Sequence, residues 1–114
     1  MPANELYNRA EAMERLGGDE ELFVDVASMF IADSAGYCAA LEAALAAADV
    51  GALRREAHTV KSMLATFSYE AGRELAQRLE LLAASGSLEG AGSLTAEVIA
   101  AVRRLAEVLS DEAA

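Results

Sequence analysis

The sequence predicts an all-α protein: an antiparallel, up-and-down four-helix bundle with a short extra helix at its N-terminal side. Of the 114 residues, 54% are hydrophobic, and alanine, the strongest helix former, supplies much of that fraction. Strand-type residues are scarce and do not alternate, whereas apolar residues recur at helical spacing. The length suits one hydrophobic core, so we expect a single domain over residues 1–114.

The first two helices are delimited by glycines and an aspartate. A short helix is predicted over residues 4–16, ending at Gly17-Gly18, a pair typical of helix C-termini. Asp19 is a candidate N-cap for a long helix over residues 20–48, which Gly36 is best placed to interrupt. The apolar stripe predicted for this helix contains Leu22, Val26, Met29, Phe30, Tyr37, Leu41, Ala44, Leu45 and Ala48.

Three further helices complete the predicted bundle. Asp49 is a candidate cap for a helix over residues 50–67, with the buried stripe Leu53, Ala57, Val60, Leu64 and Phe67. A turn at Ser68-Tyr69 leads to a helix over residues 70–84, with the stripe Ala71, Leu75, Leu79 and Leu82. After a connection rich in small residues, the last helix is predicted over residues 88–110, followed by a frayed tail. Short connections favour antiparallel packing of these four helices.

Charge and composition exclude several classes of function. The net charge of −10 argues against nucleic acid as a partner, because phosphate binding needs a basic surface. No uninterrupted apolar run reaches the ~20 residues that a membrane span requires, and we expect no membrane association. The N-terminal residues do not resemble a secretory signal, and the single Cys38 fits a reducing cytoplasm. One histidine and one cysteine do not supply a structural zinc site, and we expect neither a metal nor a cofactor.

The only histidine, His58, lies in a locally basic segment. Residues 54–78 carry five bases and three acids, a net charge of +2 in an otherwise acidic chain. On a helical wheel His58 points about 140° away from the apolar stripe of its helix, so its ring should be exposed. The residues that share its face are cationic or small: Arg54, Arg55, Lys61, Ser62 and Ala65.

Glu80 is the candidate partner of this imidazole. If the turn between the two helices centres near Tyr69, His58 and Glu80 lie at the same height, with similar angular offsets from their stripes. Either both side chains lean into the groove between the helices or both lean away. In the first case the carboxylate accepts a hydrogen bond from one ring nitrogen, and the other nitrogen is a lone-pair nucleophile that can attack phosphorus. Lys61 would then partly neutralise the phosphoryl group.

The segment REAHTVKSMLATFSYEAGRELAQRLE, residues 55–80, resembles the histidine-containing phosphotransfer (HPt) domain family. Its Ala57-His58 pair, Val60 and Lys61 match the family's A-H-x-hydrophobic-K core, and the segment GGDEELFVDVASMF resembles the start of the family's long helix. The likeness covers about residues 17–82. It departs from the family at Ser62, where glycine is usual, and at Ser68-Tyr69, which replaces a Gly-Ala pair.

The resemblance implies a four-helix bundle that relays phosphate in two-component signalling. His58 would accept a phosphoryl group from an aspartyl phosphate on a receiver domain and pass it to another receiver. The protein would then be a phosphoryl carrier and not an enzyme, with the catalytic residues and Mg²⁺ on the receiver. Lys61 would stabilise the phosphoryl group, Glu80 would orient the imidazole, and the receiver-facing surface would comprise Arg54, Arg55, Thr59, Ser62 and Ala65.

The expected partners are therefore response-regulator receiver domains, together with a hybrid histidine kinase, and the expected state is a cytoplasmic monomer. Two alternatives stay open. The chain could be a non-catalytic helical adaptor that binds receivers without transfer, or a detached phosphoacceptor module of a chemotaxis-type histidine kinase. Binding of a phosphorylated receiver without transfer of phosphate would identify the adaptor. Direct labelling of the chain by a kinase catalytic domain would identify the phosphoacceptor module.

Overall fold

A computed structural model describes residues 6–113, and its regular elements are all helices. They are α1 (Arg9–Arg15), α2 (Glu20–Ala46), α3 (Val50–Thr66), α4 (Glu70–Ala84) and α5 (Ala91–Ala113). Helix α3 packs most extensively on α4, and α2 on α5, while the short α1 rests on α2. The prediction of an all-α bundle with a short N-terminal helix is confirmed.

Side-chain caps set the starts of the first three helices. The side chains of Asp19 and Asp49 each accept a hydrogen bond of 3.0 Å from a backbone amide in the first turn of α2 and α3, as predicted. Helix α2 continues through Gly36 without interruption. Asn8 caps α1, so this helix begins at Arg9 and not at residue 4; residues 4 and 5 lie outside the described range.

The predicted bounds of the last helix, residues 88–110, are wrong at both ends. Helix α5 starts at Ala91, because Gly86 and Gly90 adopt left-handed φ values of 80° and 77° that shape the preceding connection. It then continues to Ala113, where the tail was expected to fray. Near its end Glu112 accepts a hydrogen bond of 2.6 Å from the buried Tyr7 hydroxyl, which secures the final turn.

In the first half of α2 the predicted stripe is confirmed at Phe30 and is otherwise one residue away from the buried one. Phe23, Ala27 and Phe30 are buried there, whereas Leu22 and Met29 are 42% and 63% exposed. Both series have helical spacing, so periodicity alone does not separate them. The aromatic rings decide the register, because Phe23 and Phe30 both pack against Phe67.

A hydrogen-bond network joins α1 to the turn between α3 and α4. Ser68, with φ of 53° and 4% exposure, donates a hydrogen bond of 2.8 Å to Glu11 and accepts one of 3.0 Å from Arg15. These contacts keep the pKa of Glu11 below its ordinary value, through the hydrogen bond from Ser68 first and that from Arg15 second. Ser68, the first residue of the Ser68-Tyr69 turn, therefore anchors the N-terminal helix.

Gly72, in the first turn of α4, packs closely against Tyr69 and Leu64. A methyl group added there would lie 2.9 Å from the Tyr69 ring and 3.0 Å from Leu64, both buried, so we expect Gly72→Ala to destabilise the fold by about 1–3 kcal/mol. Gly36→Ala is the matched control, because nothing lies within 4 Å and the helix propensity of alanine should add ~0.5–1 kcal/mol. Urea unfolding of both variants measures the difference, and equal stabilities would contradict the close packing at Gly72.

Among residues 6–113, one helix is long and apolar enough to cross a membrane when only its length and composition are considered. That helix is α2. This is a weak indication, because the core helix of a soluble protein passes the same test. Its buried face carries Phe30 and Leu41, which belong to the core of the bundle.

Candidate functional site

His58 lies in the middle of α3, with its ring on the solvent side. The residues that turn α3 inward, Ala57 and Val60, are 0% and 1% exposed, whereas the His58 side chain is 58% exposed. The packing of the apolar stripe thus fixes where the imidazole points. A ring in this position is open to another protein.

Helix α4 supplies the partner of the ring, since Glu80 leans into the groove between α3 and α4. The distance from His58 Nδ1 to Glu80 Oε2 is 2.8 Å, and the Glu80 side chain is only 16% exposed. Of the two orientations that the sequence left open, the structure has the one in which both side chains lean in. The packing of Leu79 in the core places its neighbour Glu80 at this edge.

Lys61, one turn after His58, contacts the other oxygen of the same carboxylate. Its Nζ lies 2.6 Å from Glu80 Oε1, and its side chain is 26% exposed. The hydrogen bond from Lys61 holds the pKa of Glu80 below its ordinary value; burial opposes this effect and the hydrogen bond to His58 adds to it. Because the folded pKa is lowered, this contact stabilises the fold at neutral pH and is lost as the pH falls through that pKa.

The arrangement determines which ring nitrogen carries the proton. A carboxylate only accepts hydrogen bonds, so a neutral imidazole facing Glu80 must donate from Nδ1. Nε2 then keeps its lone pair, on a ring that is open to solvent. A histidine in this tautomer can act as a nucleophile toward phosphorus, as phosphoryl transfer to histidine requires.

A shallow depression of about 350 Å³ lies beside the imidazole. Its lining comprises Gly51, Arg54, Arg55, His58, Thr59 and Glu80. The two arginines are exposed, so the rim of the depression is cationic. Gly51 is absent from the residues predicted for the site. It lies seven residues before His58, two helical turns away on the same face, and this spacing is the signal that would have found it.

Of the other predicted surface residues, Ser62 and Ala65 do not line this depression. Ser62 donates a hydrogen bond of 3.1 Å to the backbone oxygen of His58, so its hydroxyl is directed along the helix. Ala65, one turn further, is half-buried. Thr59 does line the depression, although its hydroxyl contacts the backbone oxygen of Arg55 at 3.2 Å. Within residues 6–113 no three histidine, cysteine or acidic side chains are grouped so that they could hold a metal ion.

Comparison with known proteins identifies the family. The family model described as Hpt domain matches residues 25–112. The crystal structure of histidine-containing phosphotransfer protein B (HptB) from Pseudomonas aeruginosa PAO1 has 22% sequence identity and a TM-score of 0.85, over 95% of this chain and 94% of that one. This likeness shows a shared fold. The comparison with curated proteins found no match to this chain. Because the family match spans most of the chain, the protein belongs to the Hpt domain family of histidine phosphocarriers, which act in phosphorelays and interact with receiver domains.

Proposed function

We propose that this protein is a phosphorelay intermediate that accepts a phosphoryl group on His58 from a receiver-domain aspartyl phosphate and passes it to another receiver. The observation that carries the proposal is the His58–Glu80 contact of 2.8 Å on a ring that is 58% exposed. Hpt family membership supports the same reaction class. His58 is the only histidine in the chain, so there is no second candidate for the acceptor.

In the proposed transfer, the lone pair of Nε2 forms the N–P bond while the bond between phosphorus and the aspartate oxygen breaks. The aspartate leaves as a carboxylate, and the proton on Nδ1 stays in place. The ring thereby gains positive charge, which the adjacent Glu80 carboxylate stabilises at 2.8 Å. The reverse transfer follows the same path, with a second receiver aspartate as the nucleophile.

In this proposal the receiver supplies the catalytic residues and Mg²⁺, and the Hpt protein acts as the carrier. Lys61 stabilises the phosphoryl group, because its ammonium lies one turn from His58 on the same helix. Arg54 and Arg55 present cationic groups to the acidic surroundings of a receiver's phosphoryl aspartate, and Thr59, Ser62 and Ala65 continue this surface along α3. The cognate partners in this proposal are response-regulator receivers and a hybrid histidine kinase. The protein acts in the cytoplasm as a monomer.

Phosphotransfer profiling tests the proposal. The purified protein is incubated with individual receiver domains that carry a radiolabelled aspartyl phosphate, and we expect rapid transfer of label into an acid-labile, base-stable bond. Receiver binding without transfer would instead identify a helical adaptor. Labelling only by a chemotaxis-type kinase catalytic domain would identify a detached phosphoacceptor module.

Glu80→Gln should slow the transfer while leaving the fold intact. The amide has no negative charge to stabilise the ring, and a hydrogen bond to a charged group is worth ~1.5–3 kcal/mol, so we expect a rate loss of roughly 10- to 100-fold. Single-turnover quench measurements with one phosphorylated receiver give the rate. Glu74→Gln is the control, since it removes an exposed acid from the same helix. Equal rates for both variants would remove Glu80 from the mechanism.

A further inference from the structure

A continuous groove runs between α2 and α5, on the face of the bundle opposite to His58. Helix α2 packs on α5 and α3, and α4 packs on α3 and α5, so the α2–α5 and α3–α4 grooves lie on opposite sides. Three depressions of about 70, 520 and 320 Å³ follow one another between α2 and α5. The first two share Ile31 and the last two share Arg103, so together they form one surface, the α2–α5 groove.

The floor of the α2–α5 groove is apolar. Both helices contribute to it, and its largest apolar side chains are Phe23, Ile31, Leu45, Ile99 and Leu109. On α5 the exposed residues Gly92, Ala96 and Ala100 recur at intervals of four, so they share one face of the helix. Because these residues are small, the backbone of another helix has room to approach. From Gly92 to Leu109 the groove is about 26 Å long, the length of roughly 18 helical residues.

The rims of the α2–α5 groove carry an excess of negative charge. Two bases, Arg9 and Arg103, line the three depressions, together with the four acids Glu42, Glu107, Asp111 and Glu112. Glu107 and Asp111 are four residues apart on α5, and like charges at this spacing repel each other. Within residues 6–113 Asp111 forms no ion pair. A cation from a binding partner would relieve this repulsion.

Charge decides which class of occupant fits. A second copy of this chain brings another net charge of −10, and nucleic acids and anionic membranes are also negative, so the acidic rims repel all three. A basic helix is attracted instead. The ion pair between Glu42 and Arg103 does not prevent this, because its atoms are 3.8 Å apart and both side chains are exposed, which makes the pair weak.

We propose that the α2–α5 groove binds a basic amphipathic helix of another protein. The apolar face of that helix covers the floor of the groove, as in other helix-in-groove complexes, and its lysines or arginines contact Glu42, Glu107 and Asp111. Because the groove is opposite to His58, the partner binds while the imidazole stays open to a receiver. This second surface does not depend on the proposed phosphoryl transfer.

Nuclear magnetic resonance with a synthetic peptide tests the proposal. The probe is a helical peptide of about 18 residues, with leucine and alanine on one face and lysines on the other. We expect saturable shifts of the backbone amides that line the α2–α5 groove, and little change near His58. The same peptide with glutamates in place of the lysines should bind at least about tenfold more weakly.

Two lysine substitutions separate the groove from the net charge. Ala100→Lys places a long cationic side chain in the groove, and we expect it to weaken peptide binding roughly tenfold. Ala43→Lys is the matched control, because Ala43 is exposed and lies about 100° around α2 from Glu42. This control should bind the peptide within about twofold of the wild type. Equal losses in both variants would show that net charge alone drives binding, and would overturn the proposal.

A second pair of variants leaves the shape of the groove intact. Asp111→Asn should weaken peptide binding roughly threefold, whereas Asp25→Asn, which removes an exposed acid outside the three depressions, should have almost no effect. Shifts centred on His58 or spread over all exposed acids would overturn the proposal, as would no binding at millimolar peptide. Self-association in sedimentation experiments that Ala100→Lys abolishes would instead identify a second copy as the occupant.

Discussion

His58→Gln is expected to abolish phosphorylation completely while leaving the helical content and the unfolding midpoint almost unchanged. Glutamine has no nucleophilic lone pair equivalent to Nε2, and the chain holds no second histidine. The side chain is 58% exposed and the buried face of α3 is untouched, so we expect a stability change within about 0.5 kcal/mol. Labelling by a phosphorylated receiver, followed in parallel with thermal unfolding, measures both quantities.

Thr59→Ala serves as the control for this substitution. Thr59 lines the same depression, and its hydroxyl contacts only the backbone oxygen of Arg55 among the side-chain hydrogen bonds of residues 6–113. We expect this variant to retain the phosphorylatable ring and a stable fold. Because Thr59 belongs to the proposed receiver-facing surface, the extent of its labelling is compared and not the rate, and label missing from both variants would show losses during handling. Acid-labile label retained by His58→Gln would show that another group is the acceptor.

Phe67→Ala is expected to cause the largest loss of stability, about 3–5 kcal/mol. Phe67 is fully buried at the end of α3, and its ring centroid lies 6.4, 6.0 and 5.5 Å from those of Tyr7, Phe23 and Phe30. The truncation removes the contacts of Phe67 with α2 and with Tyr7, which precedes α1, and it leaves a cavity. Aromatic pairs of this geometry add ~0.5–1.5 kcal/mol each beyond burial, which places the expected loss toward the upper end.

Urea unfolding monitored by circular dichroism measures this loss. Met29→Ala is the control, because Met29 is also a large apolar residue but is 63% exposed, and we expect it to change the free energy of unfolding by less than about 0.5 kcal/mol. If Phe67→Ala unfolds at nearly the same urea concentration as the wild type, the contacts of Phe67 with Tyr7 and α2 do not stabilise the fold.

Local signals in the sequence predict most of the fold. The Asp19 and Asp49 caps depend only on neighbouring amides, and their positions are confirmed. The end of α5 was missed because Glu112 is held by Tyr7, a residue 105 positions away in the sequence. The stripe of α2 was misplaced for a similar reason, since the choice between Leu22 and Phe23 depends on Phe67 in another helix. Packing between distant parts of the sequence decides both features, and the local periodicity of the sequence carries no information about such packing.

At the candidate site, the sequence predicts positions better than contacts. The helical wheel places His58 away from the core, and the position of the turn places it at the height of Glu80. The structure has both features. Whether the two side chains lean together depends on the rotation of α3 against α4, which the symmetry argument left open. The sequence does not predict the pairing of Lys61 with Glu80, because it indicates Lys61 only as a partner for an incoming phosphoryl group. The roles of these residues remain predictions.

The reactive ring, its carboxylate and its ammonium all belong to the hairpin formed by α3 and α4. The outward faces of α2 and α5 contribute no group to this trio. The proposed receiver-facing residues, such as Arg54 and Arg55, also lie on this hairpin. Substitutions on the outward faces of α2 and α5 can therefore accumulate while the reaction centre is inherited unaltered.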